Sequence, residues 1–153
     1  MAALIPNIAK GRVAHLATLP LANDGLVAVL LTAAQAEATL RDHATLAALL
    51  AASGNTEATF AGYSRKALTG VTVTVDNATD IVTVDCADPS WSPTAVQNIL
   101  RIVFCYDPDT TGGTDADLIP IFIDDFAVTT PTSGTITYTV AETPAPAGFL
   151  RAT

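Results

Sequence analysis

Charge is scarce in this sequence: 14% of its 153 residues are Asp, Glu, Lys or Arg, against about 25% in an average soluble domain. Positions that would ordinarily carry charge must carry Thr, Ala, Ser and small apolar groups, and such a surface is poorly defended against association. Cysteine is limited to Cys86 and Cys105, which excludes a disulfide scaffold. Their separation fits no zinc spacing, so both are expected to be small buried residues. The two histidines, His15 and His43, belong to no HExxH or HxH pattern and are expected as ordinary surface or core residues. No GxSxG elbow, P-loop or GxGxxG fingerprint occurs, which removes sequence support for nucleophile-elbow hydrolases and phosphate-cradling folds. Asn23, Asp24 and Gly25 interrupt the longest apolar stretch, so nothing approaches the ~20 residues of a membrane helix. Met1 to Pro6 has no basic segment and its apolar run stops at Pro6 and Asn7, unlike a secretory signal. Together these absences predict a chain that is not an enzyme, needs no cofactor and does not enter a membrane.

Apolar residues make up half of the chain, and a domain of this length buries roughly two-thirds of the surface its unfolded chain exposes. The net charge of -8 is unevenly placed. Residues 1–66 carry five positive and four negative groups, residues 67–153 two positive and eleven negative. The acidic second part repels phosphate backbones, so no nucleic-acid partner is expected.

Pattern along the chain predicts an α+β, mainly β fold. The expected form is an antiparallel β-sandwich or barrel-like sheet with a short N-terminal helix and one further helix before the main strands. Asn7 to Leu19 has near-helical spacing, with Asn7 as N-cap and Pro20 setting the end. Leu26 to Thr32 is a continuous apolar run, as in a strand covered on both faces. Ala44 to Leu50 is rich in Ala and Leu, with Asp42 placed to cap it and Gly54 to follow, predicting a helix of about ten residues. A looser helix over Ala34 to Leu40 precedes it. Beyond Asn55 the period becomes two: Thr56 to Leu68 reads as a strand, and Val71–Val75 with Ile81–Cys86 as a hairpin. Val71, Val73 and Val75 would share a core face, with Thr72 and Thr74 on the other. Asp88 to Pro93 is expected as a loop carrying Trp91. Ile99 to Tyr106 should be the central strand, and Pro120 places its Leu118–Ile123 partner at an edge or a bulge. Thr135 to Val140 closes the set. Residues 1–142 are thus expected as a single β-rich domain and 143–153 as a Pro-rich arm, with Phe149 and Leu150 as an apolar docking pair at its end.

Three groups invite chemistry. Asp107, Asp109, Asp115 and Asp117 lie on a Gly-rich loop and offer hard oxygen ligands to Ca²⁺, although the spacing is not that of an EF-hand and a solvated hairpin loop is the simpler reading. Asp124 and Asp125 are adjacent, so on a strand they point to opposite faces and cannot share a catalytic site. Trp91, Tyr63 and Tyr138 are the aromatics that a sugar-binding face would use, while Trp91 also suits an interface anchor or a lid on the core. The residues predicted to meet partners are Trp91, Thr72, Thr74, Thr137, Thr139, Phe149 and Leu150.

The order of elements resembles that of small structural proteins encoded in the head gene region of tailed bacteriophages. The resemblance is carried by the helix at Ala9-Lys10-Gly11-Arg12, the strand from Asp24 through Thr32, the Ala/Leu helix near Leu46, the hairpin start Leu68 to Val73 and the closing strand Gly134 to Tyr138. It covers most of the chain by pattern more than by diagnostic motif, and the Pro144 to Phe149 tail departs from it. It implies a virion component made in the host cytoplasm, most specifically a capsid decoration or cementing protein. The implied partners are other virion proteins, the major capsid protein foremost, and further copies of this chain. A tail, neck or baseplate protein, or a carbohydrate-binding module on an appendage, are the alternatives.

Overall fold

Runs of Val, Ile, Leu and Phe with few breakers become the long strands of this chain, and the Ala/Leu segments between them become short helices. The computed structural model describes residues 3–140 and 148–152. After a 3₁₀ turn at Asn7–Ala9, the order is α1 (Val13–Ala17), β1 (Gly25–Ala33), α2 (Glu37–Leu40), α3 (Leu46–Ala51), β2 (Thr56–Glu57), β3 (Lys66–Ala67), β4 (Thr72–Asp76), β5 (Ile81–Asp85), β6 (Ser90–Trp91), β7 (Asn98–Asp107), β8 (Ile119–Thr129), β9 (Ile136–Thr137) and β10 (Leu150–Ala152). The fold is mainly β with a few short helices, as the sequence pattern predicts.

The principal sheet has the order β2-β1-β7-β8, with β3 also pairing β1, and all its pairings are antiparallel. β7 lies between β1 and β8, so the most apolar run does occupy the centre. Side-chain alternation sends Leu26, Ala28, Leu30, Ile102 and Phe104 into one cluster, and Val29, Leu31, Val103, Cys105 and Ile123 into another. The second face is covered by Leu40, Leu46 and Leu49 of α2 and α3, each fully buried. A six-residue helix is too short to persist alone, and burial of each Leu, stabilising by about 1.5–3 kcal/mol, is what holds it. The first face is covered by Val13, Leu16 and Ala17 of α1, by a three-stranded sheet of order β10-β5-β4, and by the β6-β9 pair. Three layers result, with the principal sheet in the middle.

Pro120 behaves as its chemistry requires. β8 is the edge strand, and the register shifts between Phe104↔Phe122 and Cys105↔Pro120, so Ile121 is an extra residue. That bulge lets Ile121 and Phe122 both enter the first cluster.

Several local expectations are corrected. The N-terminal segment is broken, because Lys10 leaves the 3₁₀ turn in extended geometry and Gly11 takes φ +73°, before α1 begins. The cap of α3 is Thr45, whose Oγ1 accepts from the Ala48 amide, while Asp42 accepts from Asn7 Nδ2. Thr56 to Leu68 is two 2-residue strands joined by a turn, with the Tyr63 amide donating to the Phe60 carbonyl. Within Asp88 to Pro93, Ser90–Trp91 forms a strand against Ile136–Thr137. Of the expected Val face, Val71 and Val73 pack on the core, but Val75 is 61% exposed. From Thr135 to Val140 only two residues make ladder pairs, yet the alternation of burial continues through Val140.

Candidate functional site

The acidic loop after β7 is organised by its own backbone. Asp107 accepts from the Asp109 amide, Asp109 from the Thr111 amide and hydroxyl, and Asp117 from the Thr114 amide and hydroxyl. The first two are Asx-type turns and the third reaches back three residues, and all place carboxylates near neighbouring N–H groups rather than around a shared centre. Hydrogen bonds from Thr111 hold the Asp109 carboxyl below its usual range. Asp115 turns the other way and meets Arg65. Both of its oxygens accept from the guanidinium at 2.5 and 3.0 Å, while Glu57 accepts from the same guanidinium at 2.7 and 2.8 Å.

Arg65 is thus held by two carboxylates in paired geometry, from β2 on one side and the acidic loop on the other. Hydrogen bonds to Glu57 and then Asp115 raise its already high pKa, and the Arg65 contact holds Asp115 below the usual carboxylate range. Glu57 also accepts from the Tyr63 hydroxyl, which in turn accepts from the Leu30 amide. The cation that this loop holds is therefore the protein's own guanidinium. Beside it lies a shallow pocket of about 210 Å³ lined by Val27, Arg65, Asp107, Asp115 and Leu118 among others. Among the described residues no group of three or more His, Cys, Asp or Glu is placed to hold a metal ion; of the weak Ca²⁺ candidates, Asp107, Asp109 and Asp117 bond within the loop and Asp115 meets Arg65. His15 is exposed on α1, and His43 Nε2 lies 2.8 Å from Gln35 Oε1.

The aromatic candidates are likewise turned inward. Trp91 is 1% exposed, its Nε1 donates to the Ser64 carbonyl at 2.8 Å, and its ring lies 6.4 Å from Phe126. Tyr138 is 7% exposed, donates to Asp124 Oδ2 and packs edge-on against Phe104 and Phe126. Burial first, and the Asp124 hydrogen bond second, push its hydroxyl pKa up. Tyr63 is half-buried with its hydroxyl engaged. The three offer no common face to a sugar, and the interface role assigned to Trp91 gives way to a place in the core. The signal that misled is Pro89 and Pro93: they mark a loop, but both are buried and seat Trp91 under the sheet. Asp124 and Asp125 do diverge, Asp124 to Tyr138 and Asp125 to the buried Arg101 at 2.6 Å.

Phe149 and Leu150 are corrected in the same sense. Phe149 is 8% exposed, with its ring 5.1 Å from Phe104 and 5.2 Å from Phe122, and Leu150 pairs with Val84 in the small sheet. The docking pair docks on its own domain. Of the arm expected over 143–153, residues 148–152 belong to the fold, and 143–147 and 153 lie outside the described residues.

What remains outward is the Thr set. Thr72, Thr74, Thr137 and Thr139 are all exposed. Thr72 and Thr74 sit on β4, the edge of the small sheet, next to exposed Val75. A second apolar patch went unrecognised in the sequence: Val96 is 64% and Leu100 is 44% exposed. Leu100 lines a groove of about 310 Å³ together with Asn98, Ile99, Ala127, Val128 and Thr129. Leu100 stands where the β7–β8 register shifts between Ile99 and Arg101, and a bulge re-aims a side chain that periodicity alone assigns to the core. Among the described residues no helix is long and apolar enough to cross a membrane. No family model matches the chain, and no curated protein or solved structure matches it either.

Proposed function

We propose that this chain is a repeated structural subunit of a tailed-bacteriophage virion, most specifically a decoration or cement protein bound to the assembled head. The observation that carries the reading is the pairing of open sheet edges with exposed apolar side chains. β4 offers its free edge beside Val75, and the far end of β8 borders a groove that exposed Leu100 lines. Native proteins ordinarily blunt such edges with Lys, Pro or a covering loop, and β4 carries neither Lys nor Pro within Thr72–Asp76. Edges of this kind suit pairing with a neighbouring chain, and many weak contacts repeated over a lattice reach high avidity. The acidic loop, tied down by Arg65, turns carboxylates outward and keeps a densely packed assembly soluble. The virion setting is proposed from the resemblance of the sequence pattern to that of head-region phage proteins.

The test is reconstitution. Heads stripped of the protein and re-supplied with it regain binding and mechanical resistance, and a Leu100→Asp, Val75→Asp double variant that remains folded binds at least about tenfold more weakly. Labelling of tails or baseplates with no binding to heads would replace decoration by a tail-associated role.

A further inference from the structure

The turn between α1 and β1 holds a leucine outward. Leu21 is 55% exposed. The chain reaches it through Leu19, whose φ of +55° is a left-handed conformation that a leucine adopts only against steric cost. The turn is then fixed from both ends. The Leu21 amide donates to Asp24 Oδ2 at 2.9 Å, and the Asn23 carbonyl accepts from the Thr110 amide and hydroxyl, each at 2.8 Å. That second contact ties the turn to the acidic loop, so Leu21 is displayed with Asp24, Asp107 and Asp109 on the segments around it. Among the described residues none of these three carboxylates is in an ion pair. A rigid apolar side chain among unpaired charges of one sign has the form of an interface anchor, because little conformational freedom is left to lose on binding.

A complementary recess lies between α1 and the small sheet. Its volume is about 260 Å³, ample for a leucine side chain, and its lining includes Ile5, Val13, Ala14, Val82 and Leu150. Gly11 also lines it, and the residues on either side of that glycine, Lys10 and Arg12, are both exposed. Residues 1–23 contain these two cations and no carboxylate, in a chain whose net charge is -8. Ion pairs among the described residues engage Arg41, Arg65 and Arg101 and leave Lys10 and Arg12 without a carboxylate. Within one chain the anchor and the recess do not meet, since Leu21 remains exposed and is not part of the lining.

We propose that Leu21 of one chain seats in the recess between α1 and β5 of a second copy, with the acidic loop beside Leu21 brought to Lys10 and Arg12. The apolar anchor supplies affinity and the opposed charges supply orientation and encounter rate. This deepens the reading of a repeated subunit and rests on it for its purpose, but its test uses the purified chain alone.

The full-length protein should sediment as a concentration-dependent mixture of monomer and larger species at up to about 1 mM chain. Leu21→Asp, with an unchanged thermal midpoint, should weaken that association at least about tenfold. Lys10→Glu with Arg12→Glu should weaken it as well, and raising salt from about 0.05 M to about 0.5 M should do the same to the parent chain. For the contact itself, a Leu21→Cys chain mixed with an Ala14→Cys chain and oxidised should give a disulfide between positions 14 and 21 in preference to 14–14 and 21–21 products. Cys86 and Cys105 are buried and should stay silent. A chain that remains monomeric throughout that range overturns the proposal, as does association indifferent to Leu21→Asp or crosslinking without preference for the 14–21 product. Association that ignores both salt and the Lys10, Arg12 reversal overturns the charged part of the contact. Failure here leaves head binding to be judged by reconstitution, and failure of reconstitution leaves this self-association intact.

Discussion

The two larger sheets differ in how they are covered. β7 has six consecutive buried residues, from Arg101 to Tyr106, with packed layers on both faces. β4 has no fully buried residue, and its partner β5 buries Ile81, Thr83 and Val84. A strand covered from both sides opens only when the whole domain opens. A strand covered from one side, at an edge, opens by a local route of lower free energy. The principal sheet therefore carries most of the stability of the domain, and the small sheet is the part that opens more easily.

Breaking the strong side of this contrast should have the largest effect. Phe104 is fully buried and touches Phe122, Tyr138 and Phe149, so Phe104→Ala is expected to lower unfolding free energy by about 3–5 kcal/mol in chemical denaturation. A loss below about 1 kcal/mol would mean that the aromatic cluster is not the centre of the core.

Thiol labelling compares the sheets without mutation. Cys105 is fully buried on β7, and Cys86 is 6% exposed just beyond β5. Burial, reinforced by Asp85 and Asp88, pushes the Cys86 thiol up to about 12, and burial also raises that of Cys105, so neither should react readily while folded. Cys86 is expected to label at least about tenfold faster than Cys105 under native conditions, through local opening of the small sheet. Equal rates would show that the two sheets open together.

Acidity tests the clamp that ties the acidic loop to the principal sheet. The Asp115 carboxyl is held below its ordinary 3.8 by the Arg65 hydrogen bond, so its contribution is present above that value and is lost as pH falls through the depressed one. Asp115→Asn should lower the thermal midpoint at neutral pH, and the gap from the parent protein should close at pH values well below 3.8. A gap that persists in strong acid would assign the effect to packing instead of charge.

The smallest effect is expected at the exposed edge. Val75→Thr should change the stability of the isolated protein by less than about 0.5 kcal/mol, since Val75 is 61% exposed. A measurable drop in head binding with that stability unchanged would place β4 in the contact, and a large loss of stability would remove β4 from the partner-facing surface.

Local pattern made the strong elements legible. The strongly apolar runs at Leu26–Thr32 and Ile99–Tyr106, the second interrupted by Arg101 alone, read as strands covered on both faces, and Pro120 announced an edge with a bulge because it cannot donate to a ladder. The exposed Thr residues followed from alternation in the same way. The inward turn of Trp91 and Phe149 was not legible, because proline-bounded segments look like surface until the recess that receives them has been assembled from distant strands. The Arg65 clamp was equally hidden: Asp115 lies fifty residues further along the chain, and no local spacing relates the two. Leu100 failed for the opposite reason, as a bulge in the partner strand exposed a side chain whose own sequence says core.

By itself, then, the sequence determined the class of the fold, the central strands and the faces they present, since these follow from side-chain period and backbone donors within a few residues. Tertiary structure alone decided which aromatics are core, where the acidic loop finds its cation and that Phe149 fills a recess beside the β5 edge. Those outcomes depend on surfaces that come together only when segments far apart in the chain have folded.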